Sequence, residues 1–472
     1  MEAVTGQIVG VLYSSPFIFL LIGASIYFSL AMKFPQFRLF KNISQLLREK
    51  DSSDSGFSPF QSLMVTVGGR VGVGNIAGVA TAIALGGPGA IFWMWLMALL
   101  AASMAVAESS LAQVYKIEIN GEFIGGPPIY IARALRQKWL SVLFSILSIG
   151  GCVVAGTAMQ AGMISNSVNS NYGIPNIVTG LIVAAVTGFV VFGGFRRIGK
   201  AASILSPIMA IIYLLVAVII MILNITKLPG VLGLIFSSAF STNAVFGGLA
   251  GTAFSYGLQR GLFSNEAGMG TGAMISGSVV STHPAKQGLI QALSVFIDTI
   301  VVCTASAFLI LITNSYNVYD ASGNAVVEYL PNVGYGVDYV IQAVNKSFPG
   351  FGAPFICFSI TLFSLTCLFS FYMVSESSVK FNLPNNKWVI LVLRIAFMAG
   401  IIAGSTFSVQ AIFNLADIAN ALDAWINIIV ILILSPKVIK LMKDYDEQRK
   451  AGKDPTFSAK KTLGLDDTVW DK

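Results

Sequence analysis

Residues Gly68-Gly69-Arg70-Val71-Gly72-Val73-Gly74-Asn75-Ile76-Ala77-Gly78-Val79-Ala80 decide the reading of this chain. The stretch lies in a run of apolar residues long enough to cross a membrane. Yet four of its first seven residues are glycine and one is arginine. Glycine costs roughly 1 kcal/mol per residue in a helix interior, and a charge at the bilayer centre roughly 2.5 kcal/mol or more. Backbone of this kind persists at membrane depth only where it is buried in protein or lines a cavity. Transporters build small-ligand sites from helices broken at the midplane, so the stretch points to passage of a small polar solute.

Composition agrees. Charged residues make up 11% of the 472 and hydrophobic ones 55%, with mean hydropathy +0.77; soluble proteins carry about 25% charged residues. Eleven spans are predicted, at about 8–32, 60–86, 90–115, 140–166, 176–193, 201–224, 248–277, 288–313, 351–374, 388–407 and 415–436, each near the length that crosses the hydrocarbon core. Strand-like alternation is absent, which argues against an outer-membrane barrel. Cys152, Cys303, Cys357 and Cys367 fall in predicted spans without ligand spacing and read as packed thiols, so no transition-metal site is expected. The start of the chain lacks the basic segment of a cleaved signal peptide.

The net charge of +7 is explained by topology. Loops on one side hold 24 of the 29 basic residues, from Lys33, Arg38, Lys41, Arg48 and Lys50 to the C-terminal run ending at Lys472. The opposite loops hold only Lys227 and Lys346. The positive-inside rule places that basic side, with the C-terminus, in the cytoplasm and the N-terminus outside. The expected location is the inner (plasma) membrane, with anionic lipid attracting the basic loops and no role for nucleic acid. Residues 1–443 read as one transmembrane domain and 444–472 as a charged cytoplasmic tail, partly disordered.

A second interruption, Gln259-Arg260-Gly261-Leu262-Phe263-Ser264-Asn265-Glu266-Ala267-Gly268-Met269-Gly270, falls five spans after the first. Broken segments at matching positions mark an inverted repeat. The repeats would be about 60–224 and 248–436, preceded by one extra, peripheral helix. In the first break, the helix restarting near Asn75 presents free N–H groups that suit a carboxylate, and the carbonyls at Val71–Val73 suit sodium or an ammonium. Asn75 either caps that helix or touches the ligand. Gly78 and Ala82 fit close helix packing. In the second break, Ser264 and Asn265 read as an N-cap restarting a helix before Glu266, with Gly261 ending the half-helix before it. Arg70, Arg260 and Glu266 cannot all face lipid, and Glu266 is expected to pair with one arginine, as a gate or as a static pair.

These residues resemble the alanine/glycine:cation symporters. The resemblance rests on Ser58-Pro59-Phe60-Gln61, on Val71 through Ala90 and Phe92-Trp93-Met94-Trp95, and on Arg260 through Gly270. It continues in His283-Pro284, Lys286-Gln287-Gly288 and Phe296 through Thr304, with Gly125-Gly126-Pro127 and Gly193 through Ile198 also fitting. It implies a sodium-coupled importer of alanine or glycine, with the leucine-transporter-like fold, no organic cofactor and no enzymatic activity. The implied substrate site comprises Gly72, Val73, Gly74, Asn75 and Gln160, with Gly261, Phe263 and Ser264 facing the amine. The implied sodium site lies between Val71, Gly72 and the ninth span. There this chain has Thr366-Cys367 and Ser370-Phe371 where the family shows Ser-Thr and Gly-Trp. A thiol is a poor sodium ligand, although Thr366 and Ser370 offer hydroxyls. Phenylalanine for tryptophan enlarges the pocket and opens it to a bulkier amino acid. A small pocket that selects by volume separates D- from L-alanine weakly.

Two buried acids carry open readings. Asp298, deep in the eighth span, marks either cation coupling or a structural hydrogen-bonded site. Glu108, in the third span, is expected to pair with a basic residue. The single histidine, His283, lies in a loop, which excludes a central histidine relay and favours sodium while Asp298 keeps proton coupling open. A channel or sensor that binds an amino acid without coupling is the rival class. An enzyme is disfavoured, because no nucleophile–histidine pair or phosphate loop is present.

Overall fold

The computed structural model describes residues 2–38, 43–47, 56–240, 246–320, 322–466 and 468–471. Lys41, Arg48, Lys50 and Lys472 of the topology count lie outside the described residues. The chain is built from helices: α1 (Glu2–Leu12), α2 (Ser15–Ala31), α3 (Pro59–Arg70), α4 (Gly74–Gly86), α5 (Ala90–Val114), α6 (Lys138–Tyr172), α7 (Asn176–Val191), α8 (Gly194–Leu223), α9 (Ala250–Asn265), α10 (Thr271–Ser276), α11 (Pro284–Ile312), α12 (Gly352–Asn382), α13 (Lys387–Gly404), α14 (Val409–Ile433) and α15 (Ser435–Lys450). Two short antiparallel hairpins, at 117–124 and 317–328, occupy loops.

Seven of these helices are long and apolar enough to span a membrane, or nine if α1–α2 (bent by 41°) and α3–α4 (bent by 53°) each count as one span. Two of the eleven predicted spans fall short of that standard. Helix α7 has 16 residues, and the segment at 248–277 divides into α9 and the six-residue α10.

Position in the bundle follows sequence character. Within their most apolar stretches, α11 and α12 are each 72% buried, whereas α13 is 22% buried and turns branched and aromatic side chains outward, as a lipid-facing helix does. Helix α5 packs on α9 and α11, and α3 on α8 and α12, while α6, α7 and α13 pack on one another. The first two helices, expected as one peripheral span, are bent by 41° and contact the bundle. Helix α1 lies along α14, joined by a hydrogen bond from Asn414 to Thr5, and Trp425 Nε1 donates to the Leu12 carbonyl.

The basic loops gather at one end, here called the basic end, where Arg38 pairs with Asp446, Lys286 with Asp454 and Lys380 with Glu122. The tail is a correction to the expected disorder. The boundary near 443 falls inside α15, and the residues beyond it fold back onto the bundle. Phe457 N–H donates to the Thr282 carbonyl, Trp470 Nε1 donates to the Gln113 carbonyl, and the Lys116 ammonium sits 4.6 Å from the Trp470 ring.

Candidate functional site

The first break forms as the composition requires. A capping box between Ser58 and Gln61 starts α3, with Pro59 at its first position. The helix stops at Arg70; Val71 leaves helical geometry (ψ 89°), and α4 begins with a π-helical turn at Gly74–Gly78. Asn75 locks the break locally. Its Oδ1 accepts the Gly72 N–H at 2.9 Å, and its Nδ2 donates to Asp298 Oδ1 at 2.7 Å. Those bonds occupy a fully buried side chain, which ties the break to Asp298 and does not cap the second half-helix.

The glycines are required by what faces them. A Cβ on Gly72 would lie 2.5 Å from Cys367 Sγ and 3.2 Å from Gln160 Nε2, and one on Gly74 3.2 Å from the Phe263 ring. One on Gly78 would meet nothing within 4 Å, so steric packing does not explain that glycine.

The second break lies later than expected. Gly261, Ser264 and Asn265 are helical, and α9 ends where Glu266 adopts a left-handed conformation (φ 50°). Gly268 and Gly270 turn the chain at φ 87° and 92° before α10 begins. Ser264 and Asn265 therefore close a helix rather than open one, and Asn265 Oδ1 accepts from Ala267 N–H, just past the helix end. Gly261 packs on Met94 and Met97 of α5. Glu108 supports the turn by accepting from Gly270 N–H (3.1 Å) and Asn427 (2.7 Å), in place of the ion pair expected for it.

Asp298 joins the two breaks. It lies in a widened π-helical stretch of α11, Phe296–Cys303, and accepts from Asn75 of the first break, from Ser264 at the end of α9 (2.8 Å) and from its neighbour Thr299 (2.7 Å). Its direct hydrogen-bond partners are uncharged, one amide N–H and two hydroxyls. The region expected to hold sodium beside α12 is built differently. There the Cys367 thiol donates to the Gly69 carbonyl at 3.1 Å and approaches that of Val71. The Thr366 hydroxyl turns to the Phe363 carbonyl and Met209, and Ser370 crowds Gly69.

Between the breaks lies a cavity of about 40 Å³, room for roughly three waters. Gly72, Gly74, Gln160 and Phe263 line it, as do Arg70 and Glu266. Val73 and Asn75 lie behind the wall, as do Gly261 and Ser264. The Gln160 Oε1 is buried without a partner. Arg70 is held by the Gln291 carbonyl and Ser294.

Away from the basic end opens a vestibule of about 570 Å³, whose wall includes Gly6, Val9, Gly10 and Tyr13 of the N-terminal segment. Between vestibule and cavity sits a separate apolar cluster containing Val73, Ala77, Met159, Met163, Phe263 and Ala416. Arg260 covers it. Its guanidinium pairs with Asp417 at 2.5 Å and lies 5.0 Å from the Phe263 ring and 5.8 Å from that of Phe413. The arginine–glutamate pair expected with Glu266 does not form; Glu266 accepts from Thr271 at 2.6 Å. Asp417 and Phe413 are functional candidates that the sequence reading missed.

A helical membrane bundle with two broken helices meeting beside a buried cavity is a transporter architecture. The solved structure of MhsT in complex with L-phenylalanine aligns with 90% of this chain and 94% of its own at a TM-score of 0.55 and 16% identity, which establishes the leucine-transporter-like fold. Residues 1–459 match the Sodium:alanine symporter family, and the chain belongs to that family, whose members are transporters and not enzymes. A sodium/proton-dependent alanine carrier protein from Bacillus sp. (strain PS3) is 40% identical, over 87% of this chain and 93% of the relative. A Bacillus subtilis relative named "Probable sodium/glutamine symporter GlnT" is 38% identical, over 97% and 94%.

Proposed function

We propose that this protein is a secondary symporter importing a small neutral amino acid such as alanine or glycine, driven by sodium. The carrying observation is the meeting of both breaks at Asp298 beside a cavity sized for a few heavy atoms. The ligand's main-chain groups bind at Gly72, Gly74 and Gln160, under Phe263. The coupling cation binds at the carboxylate of Asp298 with the hydroxyls of Ser264 and Thr299, hard oxygen ligands of the kind sodium takes. The Cys367 region is a poorer candidate, because a thiol already donates to the carbonyls a cation would need. Sodium at Asp298 draws the two breaks together and so raises amino-acid affinity, and by linkage the amino acid raises sodium affinity equally.

Arg260, Asp417, Phe263 and Phe413 form the lid between vestibule and cavity, and transport proceeds by rocking of one helix group against the other. Eleven spans result when α7 and the α9–α10 pair join the nine. The packing of α5 on α11 and of α7 on α13 is what a five-plus-five inverted repeat would give. The basic end faces the cytoplasm. A second reading, proton coupling, draws support from the same site, since Asp298 is hydrogen-bonded only by uncharged groups and suits a bound proton.

The test is uptake of labelled alanine, glycine and glutamine into proteoliposomes. Accumulation driven by an inward sodium gradient at constant pH is expected. Accumulation driven by a proton gradient alone would transfer coupling to protons, and saturable binding without gradient-driven accumulation would sink the symporter reading.

A further inference from the structure

The end of the cavity remote from the lid is built from groups that alanine or glycine leaves unused. Asp423 of α14 lines it, 5% exposed, with one hydrogen bond from Ser148 (3.1 Å) and its Oδ1 without a partner. Glu266 lines the same space. Among the described residues, neither carboxylate has a lysine or arginine nitrogen within 4.0 Å. The third wall group is Gln160, 4% exposed, whose Oε1 is also unpartnered. Asp423 Oδ1 and Gln160 Oε1 are thus buried wall acceptors without a donor, while Arg70, which lines the same cavity and is held through one nitrogen by Gln291 and Ser294, keeps Nε and Nη2 without an acceptor.

The cavity follows α6, which lines it from Cys152 to Gln160. Cys152 lies one turn from Ser148, the partner of Asp423. An alanine bound by its main chain at Gly72 and Gln160 has no side-chain group with which to partner Asp423 Oδ1. Phe371, packed on Gly156, lines the cavity together with both ends.

We infer that Asp423, with Glu266, forms a side-chain subsite for amino acids whose side chain ends in a nitrogen donor, amide or ammonium. The inference rests on the amino-acid reading above and narrows its substrate class. An apolar side chain of equal length leaves Asp423 Oδ1 unsatisfied and is disfavoured.

The test uses the purified full-length protein in lipid nanodiscs with sodium present, and measures binding of alanine, asparagine, glutamine, lysine and norvaline. Wild type is expected to bind at least one nitrogen-donor amino acid ~10-fold or more tighter than alanine and norvaline. Asp423→Leu is expected to lose that preference and to gain norvaline binding while keeping alanine. Asp423→Asn preserves the shape of the site should the leucine variant fail to fold, and it is expected to weaken lysine more than glutamine. An amide preference in the wild type identifies glutamine-like substrates and a lysine preference cationic ones; either supports the subsite. Wild type binding only alanine or norvaline overturns this inference and leaves the symporter standing. So does an Asp423 variant that changes sodium dependence but not side-chain preference, which would mark a free-cation site. Binding of no amino acid overturns both.

Discussion

The two breaks solve one problem by opposite means. The first is opened by absent side chains: Gly72 and Gly74 admit Cys367, Gln160 and Phe263 to the backbone, and Asn75 ties the loosened turn to itself and to Asp298. The second is opened by backbone handedness. Glu266, Gly268 and Gly270 all take positive φ, and Glu108 holds the turn from outside. Space is the first break's requirement; torsion is the second's, joined at Gly270 by space, since a Cβ there would meet the Pro127 ring. Substitutions at the first should therefore damage binding, and those at the second should damage stability.

Asp298 is where the comparison is easiest to break, because both breaks donate to it. Asp298→Ala is expected to cut sodium-driven uptake ~100-fold or more with the protein still folded in the membrane; uptake within a few-fold of wild type would show that the breaks do not act through this carboxylate. The next effect in size separates a glycine in the break, Gly72, from one in the helix that follows it, Gly78. Gly72→Ala should weaken amino-acid affinity ~10-fold or more, and Gly78→Ala, which meets nothing, less than ~2-fold, both read by titration calorimetry. Equal losses would remove steric space as the explanation. At the second break, Gly268→Ala should cost about 1–2 kcal/mol from its left-handed backbone, seen as faster thermal inactivation with ligand affinity retained; a selective affinity loss would merge the two mechanisms. The smallest effect belongs to the root of α3. Ser58→Ala removes the cap on Gln61 N–H and should cost about 1 kcal/mol, measured as faster amide hydrogen exchange across residues 59–62.

Much of this was legible in the sequence, for identifiable reasons. Glycine clusters and an arginine are anomalous in a membrane helix, so the first break announced itself. The second was displaced because serine and asparagine side chains can bond backbone N–H groups at either end of a helix, and Ser264-Asn265 sit at the end and not the start. Arg260 was given the wrong partner because Glu266 is near in sequence. Six residues along a helix put it on another face, whereas Asp417 arrives from α14, 157 residues away. The signal was available: a buried arginine demands a carboxylate, and Asp417 and Asp423 are the acids within that span. The π-helical turns at Gly74–Gly78, Gly151–Gly156 and Phe296–Cys303, all beside the site, leave no mark in hydrophobic periodicity.

The docked C-terminal segment bears on the order in which the molecule is assembled. Phe457 meets Thr282, and Trp470 meets Gln113, yet these are residues synthesised long after their partners. Every helix can be inserted while the segment that seals the basic end is still unmade. The helices that carry Gln113 and neighbour Thr282 can thus be inserted in the membrane before Phe457 and Trp470 dock on them.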